Sequence, residues 1–128
     1  MTAVRFTLIA SGVVGILFGL LFLLGADTAI QGFNLGAPTI PAVIFARSEG
    51  ASLISIGIIN LLASNDRGSA ALRALLVGNI LIHVLSVAVD FSATYERNGG
   101  VYFGLVVHII FIIAFAYLLI NWRRLTNL

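Results

Sequence analysis

Four apolar runs of about twenty residues each constrain this chain more than any other feature. A helix rises about 1.5 Å per residue, so roughly twenty residues cross the ~30 Å hydrocarbon layer of a bilayer. The runs lie at approximately 6–25, 41–64, 70–91 and 101–121. Inside lipid every backbone N–H and C=O must be satisfied within the segment, which makes each run a helix. The remainder is short: a connection at 26–40 containing Gly, Pro and Asn, a tight polar turn at 65–69, and a polar loop at 92–100. No remainder is long enough for a second domain. The expected fold is all-α: one integral membrane domain over 1–128, an antiparallel four-helix transmembrane bundle.

Composition narrows the function classes. The chain is 60% hydrophobic and 9% charged, whereas a soluble domain carries roughly a quarter charged residues. That excludes a DNA-binding module, a disordered tail and an ordinary cytosolic enzyme. A net charge of +2 is too small for a nucleic-acid footprint, so no nucleic-acid partner is expected. Zero cysteines removes disulfides, iron–sulfur clusters and thiolate metal sites.

Arg5 ahead of an apolar run ending near Gly25-Ala26-Asp27 has the outline of a signal peptide. The run is longer than the roughly 7–15 residues of a signal core, so a retained helix is expected. Four spans place both termini and the middle turn on one side. That side holds Arg5, Arg67, Arg73, Arg123 and Arg124 against Asp66 alone. The other holds Asp27, Glu49, Asp90 and Glu96 against Arg47 and Arg97. Arginine-rich short segments stay cytoplasmic, so both termini are expected there. Trp122-Arg123-Arg124 on that side, and Tyr95 and Tyr102 on the other, are interfacial anchors.

Lipid tails are as apolar as leucine, so helices in a bilayer associate through close packing and polar contacts. Ser11, Gly15 and Gly19 recur every four residues on the first span, with Gly12 beside them. Ala46/Gly50, Ala74/Gly78 and Gly104 supply matching flat spots on the other spans. Such faces serve packing within one bundle or against a neighbouring subunit, and sequence alone leaves both open. Pro38 and Pro41 bracket the second span, and Pro41 suits the first turn of a helix.

Ionisable groups within a membrane are costly and mark where function is sought first. On the third span Asn79, His83, Ser86 and Asp90 fall within an arc of roughly 60° at about 100° per residue. On the second, Glu49, Ser52 and Asn60 fall within roughly 80°, with Arg47 nearly opposite and able to snorkel outward. His83 and His108 sit at a similar depth, roughly 10 Å from the outer ends of their spans, with Glu49 on the same side. No such stripe is read on the first span. The intramembrane polar cluster is therefore Arg47, Glu49, Asn60, Asn79, His83, Ser86, Asp90 and His108.

Three readings of this cluster stay open. It can fix the register of an aliphatic bundle through interhelical hydrogen bonds. His83 and His108 can ligate a metal, a haem or a chlorin, although no HxxxH or ExxH spacing is present. Or His83, Glu49 and Asp90 can form a proton relay or a pocket for a lipophilic substrate such as a quinone. No GxSxG elbow, Walker loop or dinucleotide fingerprint is present.

The stretch 45–63, FARSEGASLISIGIINLLA, carries an aR-x-x-Ga-x-L-x-x-x-G pattern after a loop Gly32-Phe33-Asn34-Leu35-Gly36. This resembles the second helix of small bacterial four-helix membrane proteins, and the whole layout is similar to the DoxX-like group. The matching positions are Arg47, Gly50, Ala51 and Gly57. The resemblance implies the four-helix fold and a bacterial inner membrane. His83 and Asp90 depart from the apolar third helix expected of that group.

The leading expectation is a non-catalytic accessory subunit of a larger membrane complex, respiratory or photosynthetic, in contact with the lipid bilayer and with other subunits or its own copies. The alternative is a binding or transport protein with a lipophilic-ligand, quinone, metal or tetrapyrrole site between the second, third and fourth spans. A membrane enzyme acting on a lipid or quinone comes third.

Overall fold

The computed structural model describes residues 2–66, 68–92, 98–122 and 124. Arg67, Arg97, Arg123, Tyr95 and Glu96, used above for orientation and anchoring, lie outside the described residues. The regular elements among the described residues are all helices: α1 (Thr2–Leu24), α2 (Ala26–Gly32), α3 (Ile40–Ala63), α4 (Ala70–Ser92) and α5 (Gly99–Ile120). Four of these, α1, α3, α4 and α5, are long and apolar enough to cross a membrane. The protein is a multi-pass membrane protein whose helices match a four-helix bundle. Its exposed apolar side chains, among them Phe6, Leu62 and Ile120, have lipid as their natural surroundings.

Two boundaries differ from expectation. The first helix begins at Thr2, because Val4 continues the apolar face and is buried. The 26–40 connection contains a short fifth helix, α2, that sequence reading treats as loop. Ala26, Ala29 and Ile30 are spaced three and four apart and are all buried, a one-and-a-half-turn apolar face that Gly and Pro nearby obscure. Gly25, at φ −116° and ψ 42°, is where α1 turns into α2.

The starts of α3, α4 and α5 are capped by side chains, as helix N-termini with orphan amides require. Thr39 Oγ1 accepts from the Ala42 N–H at 3.4 Å, with Pro41 in the first turn. Ser69 Oγ accepts from the Leu72 N–H at 3.1 Å. Asn98 Oδ1 accepts from the Val101 N–H at 3.1 Å, while its Nδ2 donates to the Gly32 carbonyl at 2.9 Å. Asn98 thereby ties the start of α5 to the end of α2, where Gly100 lies against the Gly32 backbone.

Two helix pairs form the body. In α1–α3 the backbones touch. A Cβ on Gly12 would stand 2.8 Å from the Gly57 carbonyl oxygen, and one on Gly50 would stand 2.6 Å from the Gly19 carbonyl oxygen. Gly15 faces Leu53 between them, so residue numbers fall along α3 as they rise along α1. Real Cβ atoms do not come this close, and only glycine allows the approach. In α4–α5 large side chains mesh instead. Leu72 and Leu76 pack with Phe111, Phe115 and Leu118, and Val4 and Leu8 of α1 join them. That cluster fills the end of the molecule holding the start of α1. At the other end Ala26, Ile30 and Ala46 form a smaller cluster beneath Phe22.

On α4 and α5 the small residues do not meet another helix backbone among the described residues. A Cβ on Gly78 would meet nothing within 4 Å, and Ala74 is exposed. Gly104 faces the side chain of Phe33 at 3.7 Å rather than a helix backbone. The α4–α5 contact is made by the leucines and phenylalanines instead.

Candidate functional site

The two helix pairs leave a cleft of about 520 Å³ between them. Its walls come from α1, the segment after α2, α3, α4 and α5. Two levels of polar groups project into it.

At the deep level Asn60 and Asn79 form a reciprocal amide pair, each Nδ2 donating to the other's Oδ1 at 2.9 Å. The second hydrogen of Asn79 Nδ2 goes to the Leu75 carbonyl at 2.9 Å, and that of Asn60 Nδ2 to Ser11 Oγ at 3.2 Å. A carbonyl only accepts, so the Leu75 bond fixes which end of the Asn79 amide is nitrogen, and the pair fixes Asn60 in turn. Both asparagines are buried, at 1% and 2% exposure, and all four amide hydrogens are used. α1, α3 and α4 are joined at this one point.

At the second level His83 Nδ1 and His108 Nδ1 are 2.8 Å apart, a hydrogen bond between α4 and α5. One ring must donate and the other accept, so two neutral imidazoles in this contact are opposite tautomers. The ring centroids are 5.1 Å apart. That exceeds the nitrogen–nitrogen distance by about one ring radius on each side, so both Nδ1 atoms lie near the line between the centroids. The two Nε2 atoms therefore face away from each other. His83 also stacks on Phe111, centroids 5.2 Å apart and planes 14° apart, with Phe115 beyond at 6.1 Å. Asp90 and Ser86 share this wall, and Glu49 lines the cleft from α3. The Ser86 hydroxyl donates to the Ile82 carbonyl at 2.9 Å, a back-bond within its own helix.

Of the eight polar residues singled out in the sequence, seven line the one cleft: Glu49, Asn60, Asn79, His83, Ser86, Asp90 and His108. Arg47 does not. It is exposed, about 200° around α3 from Glu49 at two residues' separation. α1, read as carrying no polar stripe, contributes the single polar residue Ser11. Its spacing with Gly15 and Gly19 suits packing, and it is buried at 6% exposure and accepts the Asn60 amide. The aromatic lining was also missed. Phe18 lies 6.1 Å from Phe33 and from Phe103, and Phe22 lies 5.6 Å from Phe33, ring centroid to ring centroid. The four-residue spacing of Phe18 and Phe22 on α1 is the signal that could have found them.

His83 and His108 bond to each other rather than aim at a common point. Among the described residues no group of three or more His, Cys, Asp or Glu is arranged to hold a metal ion. The geometry thus lends itself to hydrogen bonding and proton exchange within an apolar cavity. Compared with family models, curated proteins and solved structures, the chain matches none.

Proposed function

We propose that this chain binds a lipophilic small molecule with a compact polar head, held in the cleft between the two helix pairs. The observation that carries the reading is a cavity between the helix pairs large enough for such a ligand, mostly apolar, with convergent polar groups at two levels. A bundle that used its polar residues only to fix register would close around them. Here the amide pair is buried at the floor of the cleft, and the histidine pair and two carboxylates line open space above it. A quinone is one ligand of this type. We place the protein in a bacterial cytoplasmic membrane, antiparallel throughout and with both termini cytoplasmic. The arginine asymmetry and the resemblance to the DoxX-like group at Arg47, Gly50, Ala51 and Gly57 support that placement.

The test is to extract the purified protein with organic solvent and compare it, by mass spectrometry, with Val107→Trp, which fills the cleft from α5. A molecule recovered in stoichiometric amount from the wild type and lost from the variant supports the reading. Identical extracts refute it. Impermeant maleimide labelling of single cysteines at Thr2 and Asn98 checks orientation: only the Asn98 site should react from outside.

The accessory-subunit reading comes second and has one observation in its favour. Gly78 and Ala74 put a flat, small-residue face on α4, where Ala74 is exposed and no described residue lies within 4 Å of a Cβ at Gly78. Gly78→Leu should then release a partner subunit on native gels while leaving the cleft intact.

A further inference from the structure

The end of the molecule where α4 begins and α5 stops holds a second cavity, of about 390 Å³. Among the described residues its walls are Arg73, Leu119, Ile120, Asn121, Trp122 and Arg124, none of which lines the cleft. Arg73 lies in the first turn of α4. Arg124 follows α5 by one further turn, its N–H donating to the Asn121 carbonyl at 3.0 Å. Two helix ends thus bring two guanidinium groups to one hollow.

No ion pair or hydrogen bond engages either guanidinium among the described residues, although each is a fork of N–H donors. The described acid at this end, Asp66, is engaged by the Gly68 and Ser69 amides and the Ser69 hydroxyl. No arginine acts on its carboxyl. α4 presents the positive end of its dipole here and α5 the negative end of its own, so the two offset and the arginines set the sign. The rest of the wall suits the membrane interface. Trp122 packs against the cluster of Leu72, Phe115 and Leu118. Leu119 and Ile120 make the side facing the span, with Ile120 83% exposed.

We infer that this cavity binds the phosphate of an anionic phospholipid, held between Arg73 and Arg124, with an acyl chain lying along Leu119 and Ile120. Guanidinium forks match phosphate oxygens two at a time. Span ends lie at headgroup level, where basic pockets between helices take anionic headgroups. No described lining residue is an acid, so the ammonium of a zwitterionic headgroup would meet two like charges and no carboxylate. A free phosphate would use the arginines and leave the apolar side without a role.

Trp122 is the one tryptophan in the chain, so its fluorescence reports on this cavity. The purified full chain is placed in phosphatidylcholine vesicles and titrated with acyl-brominated phosphatidylglycerol or acyl-brominated phosphatidylcholine, whose bromines quench the indole. Phosphatidylglycerol should reach half-quenching at roughly twentyfold lower mole fraction, about fivefold for each arginine. Arg73→Gln and Arg124→Gln should each remove their share of that preference. Arg73→Lys, which keeps the charge and loses the fork, should retain part of it. Both positions are exposed, so the fold should tolerate the changes. Arg5 belongs to the same end, since its neighbours Val4 and Leu8 pack with Leu72 and Leu118, but it does not line the cavity. Arg5→Gln should therefore leave the preference intact. An equal loss in Arg5→Gln would reveal diffuse surface attraction, and equal quenching by the two lipids would reveal no recognition of charge. Either result overturns the inference. Inorganic phosphate added to the aqueous phase should not relieve the quenching; if it does, the site takes a free anion and the lipid is the wrong ligand.

Discussion

Along α1 and α3 backbone meets backbone, with Gly12 against Gly57 and Gly19 against Gly50. Along α4 and α5 ring meets ring and leucine meets phenylalanine. The first contact excludes space, and the second holds up the far wall of the cleft between the pairs. Helices that approach through glycine leave no room for a ligand, whereas helices held apart by large side chains leave a gap wherever those side chains stop. The cleft opens between the two pairs, and its wall runs from Asn60 and Asn79 past Phe111 to His83 and His108. In a membrane, where no hydrophobic effect draws helices together, the size of the residues at a contact decides whether it becomes a joint or a cavity wall.

The comparison breaks most visibly if the glycine pair tolerates bulk. Gly50→Val would push a side chain into the Gly19 carbonyl and the Leu23 amide, both 2.6 Å from the new Cβ. Neither is a flexible side-chain tip, so the helices must separate. We expect a loss of about 3 kcal/mol or more, measured as unfolding in an SDS titration. Gly78→Ala on α4 should instead be neutral or stabilising by up to about 1 kcal/mol, since Ala favours a helix over Gly and nothing obstructs it. Equal losses at the two glycines would show that α4 has a hidden partner.

A smaller effect tests the amide pair, which joins the first helix pair to the second. Asn60→Leu removes one side of a closed network and leaves the Asn79 Oδ1 and one of its amide hydrogens without partners at 2% exposure. The expected cost is about 1–3 kcal/mol, set by the orphaned group rather than by the bond lost. Interhelical hydrogen bonds in membranes average only about 0.6 kcal/mol. The double variant Asn60→Leu/Asn79→Leu should therefore regain part of what the single variant loses. If the double is worse than the sum of the singles, the pair contributes more than satisfaction of buried groups.

The histidine pair should cost less to break, because one side of it faces the cleft. His83→Phe keeps the stack on Phe111 and is expected to cost no more than about 1 kcal/mol. The sharper measurement is nitrogen NMR of the wild type, where one neutral ring should carry its proton on Nδ1 and the other on Nε2. Two rings of the same tautomer would dissolve the 2.8 Å contact.

Much of this was legible in the residues. Span length marked four membrane helices, and helical phase placed Asn79, His83, Ser86 and Asp90 on one stripe, which is the wall they form. What sequence could not supply was the distance between helices. Gly78 and Gly12 look alike in a pattern of small residues, yet one faces open space and the other a backbone. The difference depends on which neighbour arrives, and that is a property of the tertiary arrangement. Ser11 was hidden for the same reason. A serine in a row of glycines reads as a flat spot until an asparagine from another helix is found beside it. The short helix α2 was masked by its flanking Gly and Pro, although Ala26, Ala29 and Ile30 carried its spacing.

The smallest expected effect lies where the two pairs are tied together outside the membrane, in the turn from α3 to α4. Asp66 accepts from the Gly68 and Ser69 amides at 2.8 and 2.9 Å and from the Ser69 hydroxyl at 2.6 Å. Ser69 in turn caps α4, and Gly68 adopts the left-handed φ of 104° that lets the chain turn back. Ser69→Ala removes both the cap and the strongest bond to the carboxylate, for about 1 kcal/mol. Those Ser69 hydrogen bonds, the hydroxyl's first and the amide's next, hold the Asp66 carboxyl below its usual 3.8. A group whose folded pKa is depressed stabilises the fold above its unfolded pKa, and that stability is lost as pH falls through the folded value. Acidification below the ordinary carboxylate range should therefore loosen this turn, seen as faster amide exchange at Ser69 and Leu72. In Asp66→Asn the exchange should already be fast at neutral pH and change little on acidification. The cleft-side contacts need not follow, because the α1–α3 joint is held by glycine backbones with no proton to gain. Loss of both together would mean that the turn, and not the glycines, sets the spacing of the two helix pairs.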